Sequence, residues 1–145
     1  MHLVGAVAML LTDDQESRCT DDLWSAIDGG SWVVPQLAVT ALFTDKEFAQ
    51  QARRMIVARL SCRERSFAGG PTGEYASSKA LASLLAVGSH IPSQREWFQV
   101  VSQDAKVQEI LRDDRDRANE IAEQWLRCAL YQFGKFGVDL KPAAA

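Results

Sequence analysis

The side chains best suited by type to chemistry are five arginines, Arg53, Arg54, Arg59, Arg63 and Arg65, gathered within residues 53–65. A guanidinium presents a planar fork of donors that fits carboxylate and phosphate oxygens, so this strip is a candidate for binding a phosphate-bearing molecule or an acidic protein surface. Just beyond it, residues 68–74 read AGGPTGE, and Gly69, Gly70 and Gly73 permit the tight curvature that turns backbone amides toward an anion. The run lacks the GK[ST] continuation of a P-loop and follows no convincing strand pattern, so a nucleotide-binding loop of that kind is not expected and a flexible exposed connection is the leading reading, with anion recognition beside Arg63 and Arg65 as its functional alternative. A helix also fans successive arginines around its axis, and Glu64 interrupts the charge, so the same strip serves equally as a solvated helix edge.

The remaining reactive residues form no coherent constellation. His2 and His90 belong to no HExxH motif, and His90 follows Gly88-Ser89 and precedes Ile91-Pro92, which reads as a turn. Cys19, Cys62 and Cys128 are odd in number, widely spaced and without CxxC pairing, which points to a reducing, cytoplasmic setting. Cys62 adjoins Arg63, whose charge favours a thiolate if the two meet in space, whereas Cys128 lies between Leu126 and Leu130 and reads as a core residue. The aspartates Asp13-Asp14 and Asp21-Asp22 suit helix starts, and Asp113, Asp114 and Asp116 alternate with Arg112, Arg115 and Arg117. None has the spaced oxygen ligands and turning glycine of a calcium loop, so no metal, no cofactor and no catalytic residue is assigned. Among the tryptophans, Trp24, Trp97 and Trp125 recur with helically spaced apolar residues and suit packing, while Trp32 precedes its helix and suits an exposed anchor; Trp32 and Trp97 are the aromatic candidates for a protein interface.

These side chains are positioned by helices. At 145 residues, with 47% hydrophobic content and a formal charge of -3, the chain is long enough for one globular domain and does not by its charge demand an anionic partner. DDLWSAI from Asp21 follows Thr20 as a short helix stopped by Gly29 and Gly30, and residues 2–11 make a short helix or strand before it. The opening apolar run carries no basic leader, which fits a secretory signal poorly. Ser31 is placed to cap the next helix, an almost wholly apolar one that tolerates Pro35 in its first turn. Asp45 is placed to cap the following KEFAQQARRMIVARL, in which Phe48, Ala52, Met55, Ile56 and Leu60 share a face, so the two helices make an antiparallel pair. A loop over residues 61–75 leads to a helix starting at Thr72 or Ser77 and ending near Gly88; Ser93 and Glu96 have capping-box spacing for the next helix. A last pattern runs from Val107 to Phe133 and is either divided or faced by RDDRDR at residues 112–117. No apolar run has the roughly 20 residues needed to span a bilayer, so no membrane partner is expected.

Residues 6–15, AVAMLLTDDQ, align without a gap to residues 38–47, AVTALFTDKE, at an offset of 32, and ALASLLAVGS echoes them from residue 80. Apolar helices separated by brief polar breaks are the grammar of stacked helix pairs. The unit from Pro35 through Leu37, Leu42, Asp45, Phe48 and Ala52 to Arg53 resembles one repeat of the HEAT and armadillo-like helical-repeat families. That resemblance implies curved scaffolds that bind proteins, with some members that bind or process nucleic acid.

The expectation is an all-α, compact multi-helix domain over residues 1–141 with a flexible tail at residues 142–145, extending to a short stacked array of helical hairpins if the internal similarity is a true repeat. Its leading function is a protein-interaction or assembly module, acting on a protein partner or on itself, with Trp32, Trp97 and the arginines Arg53, Arg54, Arg59, Arg63 and Arg65 as contact residues. The alternatives are an enzyme acting on a phosphate-bearing substrate and, third, a nucleic-acid-binding helical domain, so whether the chain is an enzyme stays open.

Overall fold

A computed structural model describes residues 17–61, 71–111 and 115–135. Among these residues the fold is all-α, with seven helices and no strand: α1 (Ser17–Asp28), α2 (Val34–Thr44), α3 (Phe48–Ser61), α4 (Pro71–Gly88), α5 (Arg95–Ser102), α6 (Ala105–Ile110) and α7 (Arg115–Lys135). Residues 2–15, with the first copy of the internal similarity, lie outside the described residues, as do Cys62, Arg63, Arg65, Gly69, Gly70 and the tail at 142–145.

Helix α1 buries Leu23 and Ile27 and ends at the glycine pair, as its sequence indicates. Gly30 takes φ 71°, a region glycine enters without steric cost, while the amides of Gly30 and Ser31 bond back to the carbonyls of Ile27 and Ala26. This closure directs the chain inward at once, burying Val33 and Val34. Ser31 therefore does not cap α2. Its carbonyl accepts from the Val34 amide, and Val33 holds the N-cap position without a side-chain cap bond. Pro35 sits in the first turn, where its missing N–H costs nothing.

Helix α2 is the central element. Every residue in it except Gln36 is buried, and its closest backbone approaches are to α1, α4 and α7. Burial on all sides explains why its sequence is apolar without a polar stripe. The two buried hydroxyls inside it are satisfied locally, Thr40 donating to the Gln36 carbonyl at 3.0 Å and Thr44 to the Thr40 carbonyl at 2.9 Å. Helix α4 supplies the second inner layer through Leu81, Leu84, Leu85 and Val87. Helix α3 contributes a narrower stripe, Phe48, Ala52 and Ile56 at intervals of four, and its close backbone approaches are to α4.

Asp45 does not cap α3 from the adjoining position, because α3 begins at Phe48. Its own amide closes α2 on the Ala41 carbonyl, its Oδ1 accepts from the Glu47 amide at 2.7 Å, and its carbonyl accepts from the Phe48 amide. The Ser93–Glu96 capping box is also not formed. Gln94 is the N-cap of α5 and makes no side-chain cap bond, since the turn at Ile91 to Gln94 is closed by backbone bonds around the buried Ile91. The break between α5 and α6 carries a true cap instead, with Asp104 accepting from the Lys106 amide at 2.8 Å. The last apolar pattern falls into two helices, α6 ending at Ile110 and α7 starting at Arg115 within the charged run.

Helix α4 starts at Pro71, earlier than Thr72 or Ser77. It ends at Gly88, where a side chain would have no room: a Cβ there would lie 2.3 Å from the buried Phe98 ring of α5. The last helix buries Ala122 and Leu126, four residues apart, with Trp125 packed beside them. Cys128 is exposed, contrary to its expected core position, because two residues past Leu126 the helix has turned about 200° away from the buried stripe.

Candidate functional site

Helix α3 divides the arginines among different surroundings. At about 100° per residue, Arg53 and Arg59 emerge roughly 120° apart around the axis. Arg59 turns to α1, where its Nη2 meets Asp28 Oδ1 at 2.8 Å and the Asp28 carbonyl at 3.3 Å. Its side chain is only 12% exposed. Burial pushes the guanidinium below the usual arginine range, and the Asp28 carboxylate works against that shift. Arg59 is thus a structural tie whose charge is already matched.

Arg53 turns instead to α5. Its guanidinium carbon lies 4.6 Å from the centroid of the Trp97 ring, a cation–π stack, and Trp97 in turn packs edge-on to Phe98 at 5.0 Å. The Arg53 Nε is buried without a hydrogen-bond partner. Arg54, next along the helix, is exposed. Both arginines line a cleft of about 440 Å³ between the start of α3 and the turn before α5. Lys46 and Glu47 close one side, Ser93 and Gln94 the other, and Ala49 and Ile91 supply an apolar floor. The cleft joins residues 46–54 to residues 91–94, and no local pattern in the sequence marks Lys46, Ser93 or Gln94 as its members.

A second cleft, of about 380 Å³, lies among α4, α5 and α7, with Leu85, Phe98 and Leu111 below and Asn119 and Glu123 above. At its edge His90 Nε2 and Glu123 Oε1 are 2.7 Å apart, joining the turn after α4 to α7. The expected turn setting of His90 is observed; its partner, 33 residues away, was not readable from local sequence. The nearby hydroxyls are directed elsewhere, Ser89 to the Ala86 carbonyl at 2.6 Å and Ser102 to the Gln99 carbonyl at 2.7 Å. A nucleophile aligned on the imidazole, which hydroxyl catalysis requires, is not formed by these serines.

Trp32 has a different setting. It is 78% exposed although its neighbours Val33 and Val34 are buried, and the Lys79 ammonium of α4 donates to its carbonyl at 2.5 Å. The indole therefore projects from a backbone held on both sides. Trp97 is partly buried against the core, as are Trp24 and Trp125, in keeping with a packing role for these three.

Among the described residues no group of three His, Cys, Asp or Glu side chains is arranged to hold a metal ion, and no helix is long and apolar enough to cross a membrane. Compared with known proteins, the chain matches no family model, no curated protein and no solved structure.

Proposed function

We propose that this chain is a protein-interaction module that self-associates, with Trp32 as the central contact of the interface. The observation that carries this reading is the 78% exposure of Trp32 on an anchored backbone. Covering a large aromatic side chain gains about 1.5–3 kcal/mol, and tryptophan is the residue most enriched at the energetic centres of interfaces. Because Val33, Val34 and the Lys79 contact already hold the backbone beside it, little ordering cost opposes docking. On this reading the α2–α3 unit and its neighbours act as a short stack of helical hairpins, and the array presents the indole at one of its inter-helix joints. The free thiols of Cys19 and Cys128 support a reducing, cytoplasmic site of action.

Sedimentation velocity from about 1 μM to about 1 mM covers the range of weak to moderate association. The expected result is a concentration-dependent dimer, with Trp32→Ala weakening the association about tenfold or more. A chain that stays monomeric across the series, or a dimer indifferent to Trp32→Ala, overturns the reading.

A further inference from the structure

We propose that the cleft bounded by Lys46, Arg53, Arg54, Ser93 and Gln94 binds the phosphate group of a small organic phosphate monoester. Three cationic residues, Lys46, Arg53 and Arg54, line it, and Glu47 is the carboxylate in its lining, which leaves two positive charges in excess. That excess equals the charge of a phosphate monoester dianion. The Arg59–Asp28 ion pair and the His90–Glu123 hydrogen bond lie elsewhere, and Lys46, Arg53 and Arg54 have no carboxylate partner among the described residues.

The arginine geometry favours an oxyanion over a diffuse acidic surface. Stacking on Trp97 at 4.6 Å fixes the plane of the Arg53 guanidinium without neutralising it, and a stacked guanidinium keeps its in-plane N–H groups for bidentate contact. Arg59, which would extend the basic strip along α3, is withdrawn to Asp28. The positive charge is therefore concentrated in a cleft instead of being drawn out along a helix as an acidic chain or a nucleic-acid backbone requires. Gln50, Ser93 and Gln94 add neutral hydrogen-bonding groups. At about 440 Å³ the cleft also exceeds what one phosphate fills, and its Ala49 and Ile91 floor suits a compact apolar group attached to the phosphate.

The test is isothermal titration calorimetry of the whole chain with phenyl phosphate, inorganic phosphate and hexaglutamate at fixed ionic strength. Phenyl phosphate is expected to bind saturably and more tightly than inorganic phosphate. The Lys46→Gln/Arg54→Gln variant, altered only at exposed positions, should weaken it at least tenfold while leaving the thermal melt unchanged. Arg53→Lys keeps the charge, loses the fork, and should weaken it severalfold. No saturable binding of phenyl phosphate, binding untouched by Lys46→Gln/Arg54→Gln, or equal affinity for inorganic phosphate overturns the proposal. Tighter binding of hexaglutamate also overturns it and makes the cleft an acidic-peptide site. Trp32→Ala should bind phenyl phosphate as the unaltered chain does, so this site and the self-association interface stand or fall separately.

Discussion

The Trp24 indole donates its Nε1 proton to Asp45 Oδ2 at 2.7 Å, tying α1 to the corner between α2 and α3. The same carboxylate accepts the Glu47 amide on its other oxygen, and the Trp24 ring packs on Phe48 at 5.6 Å. One aspartate thus holds three helices in register. Replacing it by alanine removes two hydrogen bonds at a nearly buried position and leaves the indole donor unmatched. At about 1 kcal/mol per bond, Asp45→Ala should cost about 2 kcal/mol in urea unfolding, and Trp24→Phe, which keeps the ring contact, about 1 kcal/mol. Equal, near-zero costs would show that the corner is held by apolar packing alone.

Gly88 and Phe98 define how closely α4 approaches α5. Gly88→Ala brings the new methyl within 2.3–2.5 Å of three ring atoms of a fully buried phenylalanine that already meets Trp97 edge-on. Two effects compete. Alanine gains up to about 1 kcal/mol of helix propensity over glycine, and overpacking a tight core costs about 1–3 kcal/mol. The overlap is with a ring that cannot move freely, so a net loss of about 1–2 kcal/mol is expected in thermal or urea denaturation. In the Gly88→Ala/Phe98→Leu double variant the alanine should cost less than it does alone, because the smaller side chain makes room.

Arg59 and Asp28 should respond unequally to substitution. Asp28 is 73% exposed and loses little hydration in the pair, whereas Arg59 is nearly buried and its charge is disfavoured there. Asp28→Ala leaves that cation unmatched and should cost about 1 kcal/mol, a cost that shrinks in high salt as screening weakens the original pair. Arg59→Met keeps the apolar stem and removes the buried charge, so its stability should lie within about 0.5 kcal/mol of the unaltered chain. Urea unfolding at low and high sodium chloride measures both effects.

The parts of the fold that were legible in sequence are those decided by period and backbone geometry. The unbroken apolar run of α2 announced an inner helix, Gly29-Gly30 announced the end of α1, and Phe48, Ala52 and Ile56 announced the face of α3. Capping was less legible, because a serine ahead of a helix competes with the tertiary path of the chain. At Ser31 the inward turn after Gly30 won, and before α5 the buried Ile91 set the turn, so neither serine-based cap formed. Leu126 and Leu130 flank Cys128 in sequence, but the described buried positions of α7 are Ala122 and Leu126, and Cys128 lies about 200° around the axis from Leu126. The candidate sites were least legible. Arg59 and Asp28 are 31 residues apart, and the cleft unites residues 46–54 with 91–94, so their neighbours are products of packing. The arginine strip was visible; its division into a structural tie and a stacked cation with no carboxylate partner among the described residues was not.

That division predicts a measurable coupling between Arg53 and Trp97. Their separation of 4.6 Å is within the range where a ring face attracts a cation, at about 0.5–1 kcal/mol when exposed and about 2 kcal/mol when desolvated. Both side chains are half-buried, so an intermediate value of about 1 kcal/mol is expected. A double-mutant cycle with Arg53→Met and Trp97→Leu isolates this term, since methionine keeps the length of the arginine stem and leucine keeps apolar contact with the core. The attraction depends on charge near a quadrupole instead of on contact area, so Arg53→Lys should retain a fraction of the coupling that Arg53→Met loses. If all the coupling vanishes with lysine, planar stacking holds the pair; if none is found even for methionine, Trp97 is fixed by Phe98 and the core without help from Arg53.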